Sequence, residues 1–184
     1  APTIKYMKIL LLRHAESEDN NQNILGGNSE AKITEYGKTQ AIKIGKELSS
    51  KYIITEVYCS PRKRCLMTSE LVLKELNKDI PVNVTNKLSE RDFGVFSGKL
   101  MSEVDFSLID KQKKGNEYDV ESIEEVKERI ESFIQELKSK HKDTDTILVI
   151  THSNPIRIFS MIIENISFSE VLKKKNIKNA EYIL

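Results

Sequence analysis

Residues 8–14 read Lys8-Ile9-Leu10-Leu11-Leu12-Arg13-His14, so four consecutive aliphatic side chains end at two basic ones. A short continuous apolar run is typical of a β-strand that is buried on both faces, as in a parallel sheet. Residues 147–150, Ile147-Leu148-Val149-Ile150, have the same character, and residues 57–59 and 82–84 are weaker strand candidates. The sequence therefore predicts a sheet that joins distant parts of the chain.

Helical patterns lie between these runs and imply crossover connections. We predict helices from a Thr34 cap to about Ser49, over residues 62–76, from a Ser122-Ile123-Glu124-Glu125 capping box, and over residues 155–164. Strands that alternate with helices favour right-handed crossovers. The predicted fold class is α/β, a three-layer α/β/α arrangement with a mostly parallel central sheet.

The chain has 184 residues, of which 39% are hydrophobic, and this suits one domain with its own core. No linker or repeat divides it, so residues 1–184 are expected to form a single domain. Residues 98–119 are polar, contain glycine and lack periodicity. We expect this region to be lid-like and to cover a site.

The charges nearly cancel, with 29 Lys and Arg against 28 Asp and Glu. This balance gives no electrostatic reason to expect nucleic acid or an anionic membrane as a partner, although local positive charge can serve a small anion. No apolar run approaches the length of a membrane span, and Ala1-Pro2-Thr3 shows no signal-peptide pattern. We therefore expect a cytoplasmic protein, and the sequence leaves its oligomeric state open.

Two cysteines, Cys59 and Cys65, are too few for a disulfide framework and fit no common zinc spacing, so both are interpreted as ordinary thiols. His141 stands near Asp143 and Asp145, but a polar helix-to-strand connection explains these residues better than a metal site. We expect neither a metal nor a cofactor.

Basic and polar residues follow three of the predicted strands. Arg13 and His14 follow the first, Ser60 to Arg64 follow the second, and Thr151-His152-Ser153-Asn154 follow the last. Ligands bind at the carboxyl ends of strands in open α/β sheets, so these residues are expected to converge. Two of the three histidines in the chain stand there.

Such a cluster suits phosphoryl transfer. Arginine forks bind phosphate, a neutral imidazole can attack phosphorus, a second imidazole can donate to phosphoryl oxygens, and a carboxylic acid can protonate the leaving group. Taken singly, each residue has a structural explanation: a histidine after a buried strand is commonly a core histidine, and Arg64 is commonly a helix-surface charge. The joint pattern favours a catalytic site.

The sequence resembles the histidine phosphatase superfamily, which includes cofactor-dependent phosphoglycerate mutases and fructose-2,6-bisphosphatases. Five blocks carry the resemblance in order from residue 8 to about residue 165: Arg13-His14-Ala15-Glu16-Ser17 with Asn20; Gly27 through Ala41; Ser60-Pro61-x-x-Arg64-x-x-x-Thr68; Leu88-x-Glu90-x-x-Phe93-Gly94-x-x-x-Gly98; and Thr151-His152-Ser153-Asn154. The resemblance implies a phosphatase fold and a phosphohistidine intermediate.

The resemblance also implies individual roles. His14 would be the nucleophile and Glu90 the proton donor; Arg13, Arg64 and His152 would complete the phosphate pocket; Asn20 and the backbone at Gly27 and Ser153 would lie around the phosphate. Four positions depart from the family pattern, and one of them is Glu30, which stands where aspartate is usual. Ala15 and Ser153 stand where the family has glycines, and we expect both replacements to be tolerated unless φ is positive at these positions. Arg62 stands where leucine is common, and it lies either near the substrate or at a solvated helix start.

The expected activity is hydrolysis of a phosphate monoester. The alternatives are a cofactor-dependent phosphoglycerate mutase, a protein phosphatase of the same family, and a non-catalytic relative that binds a phosphorylated partner. His152 follows Glu90 by only 62 residues and no Arg-Arg pair occurs, which favours water as the acceptor. The expected substrate is a small phosphorylated metabolite, or else a phosphoprotein. Residues 18–32 and 98–119 are expected to determine which substrate binds, and their irregular sequence leaves the substrate's identity open.

Overall fold

The computed structural model describes residues 7–76, 79–174 and 176–183. Its strands are β1 (Lys8–Arg13), β2 (Glu56–Cys59), β3 (Val82–Val84), β4 (Thr146–Thr151) and β5 (Tyr182–Ile183). Its α-helices are α1 (Glu18–Asn21), α2 (Glu35–Lys51), α3 (Lys63–Leu76), α4 (Phe106–Asp110), α5 (Ile123–Lys140), α6 (Ser153–Glu164) and α7 (Phe168–Lys174), and 3₁₀ turns cover Asn86–Leu88, Gly94–Phe96 and Met101–Glu103. None of the helices in these ranges is long and apolar enough to cross a membrane.

The sheet has the strand order β3-β2-β4-β1-β5. The pairs β3–β2, β2–β4 and β4–β1 are parallel, and only β5 runs antiparallel to its neighbour. In the central pair Arg13 lies opposite Thr151. Because His14 and His152 are the next residues, this register brings them to the same edge of the sheet.

Helices cover both faces of the sheet, as the continuous apolar runs predict. Leu11 and Val149 pack with α5 and α6 on one face. Leu10 and Leu148 point to the other face and pack with α2 and α3. Alternate residues of one strand therefore enter two cores, and the predicted three-layer α/β/α fold with a mostly parallel sheet is confirmed.

The predicted helix starts agree closely with the structure. Thr34 Oγ1 accepts from Gly37 N at 3.0 Å, and Ser122 with Glu125 forms the complete capping box. The exception is α6, which begins at Ser153, two residues before the predicted start. Proline is tolerated within the first turn because its missing N–H has no helical partner there, so Pro155 does not mark the boundary. His152 is consequently the N-cap residue of α6.

Several short elements lie outside the predicted set. The region 98–119 was expected to be irregular, but it contains Met101–Glu103 and α4. The elements α1, α7 and β5 are also absent from the sequence prediction, and β5 has only two residues. Segments this short carry too little periodicity to be recognised, and packing against the rest of the chain determines them.

Gly94 fixes the loop that carries Glu90 against the region 98–119. Its φ is +52°, and a Cβ at this position would overlap the carbonyl oxygen of Tyr118. That oxygen accepts from Val95 N at 3.0 Å, so it cannot move away without losing a hydrogen bond. Gly98 also has a positive φ, +83°, but a Cβ there would meet nothing within 4 Å.

This pair of glycines gives a matched stability test. We expect Gly94→Ala to lower the free energy of unfolding by about 3 kcal/mol, from left-handed strain plus overpacking. Gly98→Ala introduces the left-handed strain without overpacking, so its free energy of unfolding should fall by about 1 kcal/mol. Urea unfolding followed by circular dichroism measures both, and equal losses would show that the Tyr118 contact is unimportant.

Candidate active site

A cavity of about 230 Å³ opens at the carboxyl ends of the parallel strands. All but one of the residues that the resemblance implicates border it: Arg13, His14, Asn20, Gly27, Arg64, Glu90 and Ser153. They come from strand ends, helix starts and loops that are far apart in the chain. The structure thus brings the predicted site residues together.

His14 has its tautomer fixed by the backbone. Its side chain is buried, and Nδ1 lies 2.7 Å from the carbonyl oxygen of Ala15. A carbonyl only accepts, so Nδ1 carries the hydrogen and Nε2 keeps a lone pair in the neutral ring. Burial, followed by the charges of Arg64 and Arg13, holds the pKa of His14 well below its usual range. The ring is therefore unprotonated on Nε2 at neutral pH.

Two of the arginines that border the cavity, Arg13 and Arg64, bond to backbone carbonyls. Arg64 is 3% exposed and donates to the carbonyls of Gly27 at 2.6 Å and Ser29 at 3.0 Å. Arg13 donates from Nη1 to the carbonyl of Ile177 at 2.7 Å, while its buried Nε has no partner in the described part of the chain. A buried guanidinium N–H without a partner is typical of an anion site.

His152 lies beside His14 and is the predicted site residue that does not border the cavity. The two ring centroids are 5.2 Å apart, and His152 is fully buried. Its Nε2 lies 2.9 Å from Ser60 Oγ and 3.4 Å from Cys65 Sγ. Burial, followed by Arg64, lowers the pKa of His152 well below its usual range, so this ring too is neutral.

Glu90 presents a carboxyl group to the cavity and is 8% exposed. Its Oε1 accepts from Arg91 N at 2.8 Å, and its backbone carbonyl accepts from Arg129 at 3.3 Å. Arg129 stands on α5 and also bonds to Glu121 at 2.7 Å. The loop that carries the acid is therefore held by the helix packed beneath it.

The departures from the family pattern are accommodated. Neither Ala15 nor Ser153 is among the described residues with positive φ, so both side chains are tolerated. Ser153 and Asn154 form the first turn of α6 and border the cavity. The N–H groups of that turn, at the positive end of the helix dipole, favour an anion. Arg62 bonds to Asn28 and Glu30, and it does not border the cavity.

Sequence reasoning missed several residues of the site. Arg91 is fully buried and pairs with Asp110 of α4 at 2.7 Å, and both border the cavity. Arg157 of α6 borders it as well. Apolar side chains complete the outer wall: Ile24, Met101, Phe106, Phe168 and Leu172. Arg157 follows Ser153 by four residues, a spacing that places both residues on one face of a helix, and this is the sequence signal for its position.

The remaining candidates lie elsewhere. Cys59 and Cys65 are buried free thiols. His141 bonds to Tyr58 Oη at 2.8 Å and to Asp145 at 3.2 Å, in the connection between α5 and β4. Within residues 7–76, 79–174 and 176–183, no group of three or more His, Cys, Asp or Glu side chains is arranged to hold a metal ion.

Comparison with known proteins gives consistent matches over the whole fold. A phosphoserine phosphatase of Hydrogenobacter thermophilus is 32% identical over 82% of this chain and 73% of its own. A 2,3-bisphosphoglycerate-dependent phosphoglycerate mutase of Nitrobacter winogradskyi is 30% identical over 91% of this chain and 86% of its own. The solved structure of Bacillus stearothermophilus YhfR superposes with a TM-score of 0.83 at 20% identity, over 95% of this chain and 88% of that chain.

The family model of the histidine phosphatase superfamily, branch 1, matches residues 9–183. That range contains all five sequence blocks, and the same residues supply the cavity at the carboxyl ends of the strands. This chain belongs to the histidine phosphatase superfamily.

Proposed function

We propose that this chain hydrolyses small phosphate monoesters through a phosphohistidine formed on His14. One observation carries the proposal: an imidazole with a free lone pair on Nε2 borders a cavity that Arg13 and Arg64 also border. The arginines neutralise the phosphate dianion, and the neutral ring can approach phosphorus without first losing a proton.

In the first step His14 Nε2 bonds to phosphorus as the ester P–O bond breaks. The proton on Nδ1 stays with the ring, held by the Ala15 carbonyl, and Glu90 gives its proton to the leaving oxygen. In the second step Glu90 takes a proton from water, the water oxygen attacks phosphorus, and the P–N bond breaks to release inorganic phosphate. The neutral His14 and the protonated Glu90 are restored.

The other residues stabilise the phosphoryl group during both steps. Arg13, Arg64 and Asn20 donate to its oxygens, together with the N–H groups at Ser153 in the first turn of α6. The ring of His152, next to His14, completes the pocket as charge redistributes. Gly27 acts through its carbonyl, which fixes the Arg64 guanidinium.

The outer wall indicates what kind of ester fits. In an in-line displacement the leaving group lies opposite the nucleophile, and His14 is 3% exposed whereas Met101, Phe106 and Leu172 near the mouth are 38–45% exposed. The leaving group therefore lies among apolar side chains. Asp110 is already paired with Arg91. We propose an ester with an apolar body, in preference to a polyhydroxylated one.

The mutase alternative is retained because a phosphoglycerate mutase is among the relatives. A mutase keeps water from its phosphoenzyme and returns the phosphoryl group to the same substrate. This chain has only one α-helix of regular length, α5, between Glu90 and β4. The short connection between Glu90 and β4 therefore favours water as the acceptor.

The nucleophile is tested by His14→Ala. We expect this change to abolish both turnover and the acid-labile phosphate that the wild-type protein acquires from labelled phenyl phosphate, because another group is not placed to attack. Arg62→Ala is the control, since Arg62 pairs with Glu30 outside the cavity. Wild-type labelling of His14→Ala would refute the assignment.

The acid is tested by Glu90→Gln with two leaving groups. An alkoxide needs a proton to leave, so the turnover of an alkyl phosphate should fall about 10²-fold or more. Nitrophenolate leaves with little help, so nitrophenyl phosphate should be affected much less. If both esters slow equally, the proton comes from elsewhere.

The leaving-group site is tested with ethyl and hexyl phosphate, whose leaving oxygens are equally basic. Each methylene buried contributes about 0.8 kcal/mol, so kcat/KM should rise at least tenfold from ethyl to hexyl. Leu172→Ala should reduce this ratio, whereas Leu66→Ala, an exposed leucine of α3 outside the cavity, should not.

Two further substrates complete that experiment. A phosphopeptide turned over faster than hexyl phosphate would favour the protein phosphatase. Rapid interconversion of 3- and 2-phosphoglycerate in the presence of a bisphosphoglycerate primer would favour the mutase while leaving the His14 chemistry intact.

A further inference from the structure

The segment 177–183 runs directly beside the residue pair Arg13-His14. Arg13 donates from its side chain to the Ile177 carbonyl and from its backbone N to the Glu181 carbonyl at 3.1 Å. Ala180 N in turn donates to the Arg13 carbonyl at 3.1 Å. The chain thus returns at its far end to support the strand end that bears the nucleophile.

The side chain of Asn179, in this segment, contacts both His14 and Asn20. Its Nδ2 lies 3.1 Å from the His14 carbonyl oxygen and 3.0 Å from Asn20 Oδ1. A carboxamide nitrogen has two hydrogens, so it can donate to both acceptors at once. Ala180, with φ +55°, sits in the turn that Glu181 N closes onto the Lys178 carbonyl at 3.1 Å, and this turn holds Asn179 in place.

The contact determines which end of Asn20 meets a ligand. Asn20 Oδ1 also accepts from Ser17 N at 3.0 Å and from Ser17 Oγ at 2.9 Å. Three donors around one oxygen fix the orientation of the carboxamide. Asn20 borders the cavity, so its Nδ2 end is the end left to donate to a phosphoryl oxygen.

We infer that Asn179 is a positioning residue of the active site. It holds the Asn20 carboxamide with its donor end toward the phosphate, and it fixes the backbone carbonyl of His14, the residue that bears the nucleophile. The inference rests on the proposed function, in which Asn20 binds the phosphoryl group. An aspartate of the same shape could not replace Asn179, because its carboxylate oxygens would face two acceptors.

A double-mutant cycle tests the inference in the full chain. Loss of one or two neutral hydrogen bonds corresponds to about tenfold, so Asn179→Ala should lower kcat/KM for phenyl phosphate by about that factor. If Asn179 acts through Asn20, then adding Asn179→Ala to Asn20→Ala should cause little further loss, because interactions within one network are non-additive. Lys178→Ala, an exposed neighbour on the same turn, is the matched control and should leave activity unchanged.

Two further measurements distinguish a positioning role of Asn179 in the active site from a merely structural role. Binding of inorganic phosphate by calorimetry should weaken in Asn179→Ala and follow the same non-additive cycle, and this readout does not depend on turnover. Asn179→Asp should be impaired more than Asn179→Ala, although it fills the same space. If Asn179→Ala does not fold, Asn179→Asp takes its place in the cycle.

Three results would overturn the inference: full activity in Asn179→Ala, an additive loss in the double variant, or equal activity of the aspartate and alanine variants. Failure of the proposed function has a different signature. Wild-type protein would then form no acid-labile phosphoenzyme from phenyl phosphate, whatever the Asn179 variants do to phosphate binding.

Discussion

Parallel pairing of β1 with β4 sets Arg13 opposite Thr151, and the residue after each is a histidine. The pleat alternates side chains between the two cores, so a slip of one residue would send Leu10 and Leu12 into the core that holds Leu11. Tight packing on both faces therefore forbids such a slip. The 5.2 Å separation of the His14 and His152 rings follows from this register.

Within the described part of the chain, the positive charges of Arg13 and Arg64 are not neutralised, because the hydrogen-bond partners of these residues are uncharged groups. Arg13 and Arg64 are held by the carbonyls of Ile177, Gly27 and Ser29, which accept hydrogen bonds from them without cancelling their charge. Arg91 is instead neutralised by Asp110 and serves to attach α4 to the acid-bearing loop. Burial is the main cause of the lowered pKa of the His14 and His152 rings, and the charges of Arg64 and Arg13 lower both pKa values further.

The sequence was sufficient for the parts of the molecule that have strong local signals. The apolar runs in β1 and β4, the Thr34 cap and the Ser122 capping box each indicate one structure. The five blocks contain seven of the residues that border the cavity: Arg13, His14, Asn20, Gly27, Arg64, Glu90 and Ser153. The burial of His152 behind His14 could not be predicted, because Ser60 and Cys65 reach it from another strand and helix. In the sequence Arg91 looks like an exposed loop residue, and only the folded structure shows that it is buried and paired with Asp110. The elements α7 and β5 are too short to show a periodic pattern of apolar residues.

The dependence of Arg13, His14 and Asn20 on the segment 177–183 has a consequence for translation. His14 is synthesised early, whereas Asn179 is synthesised after β1 to β4 and α1 to α7. At about 5–20 residues per second, roughly ten seconds or more separate the synthesis of His14 from that of Asn179. A nascent chain that has already paired the strands β1 to β4 still lacks the hydrogen bonds that Asn179 makes to the His14 carbonyl and to Asn20, so a product that stops before residue 177 would contain this part of the sheet without those contacts.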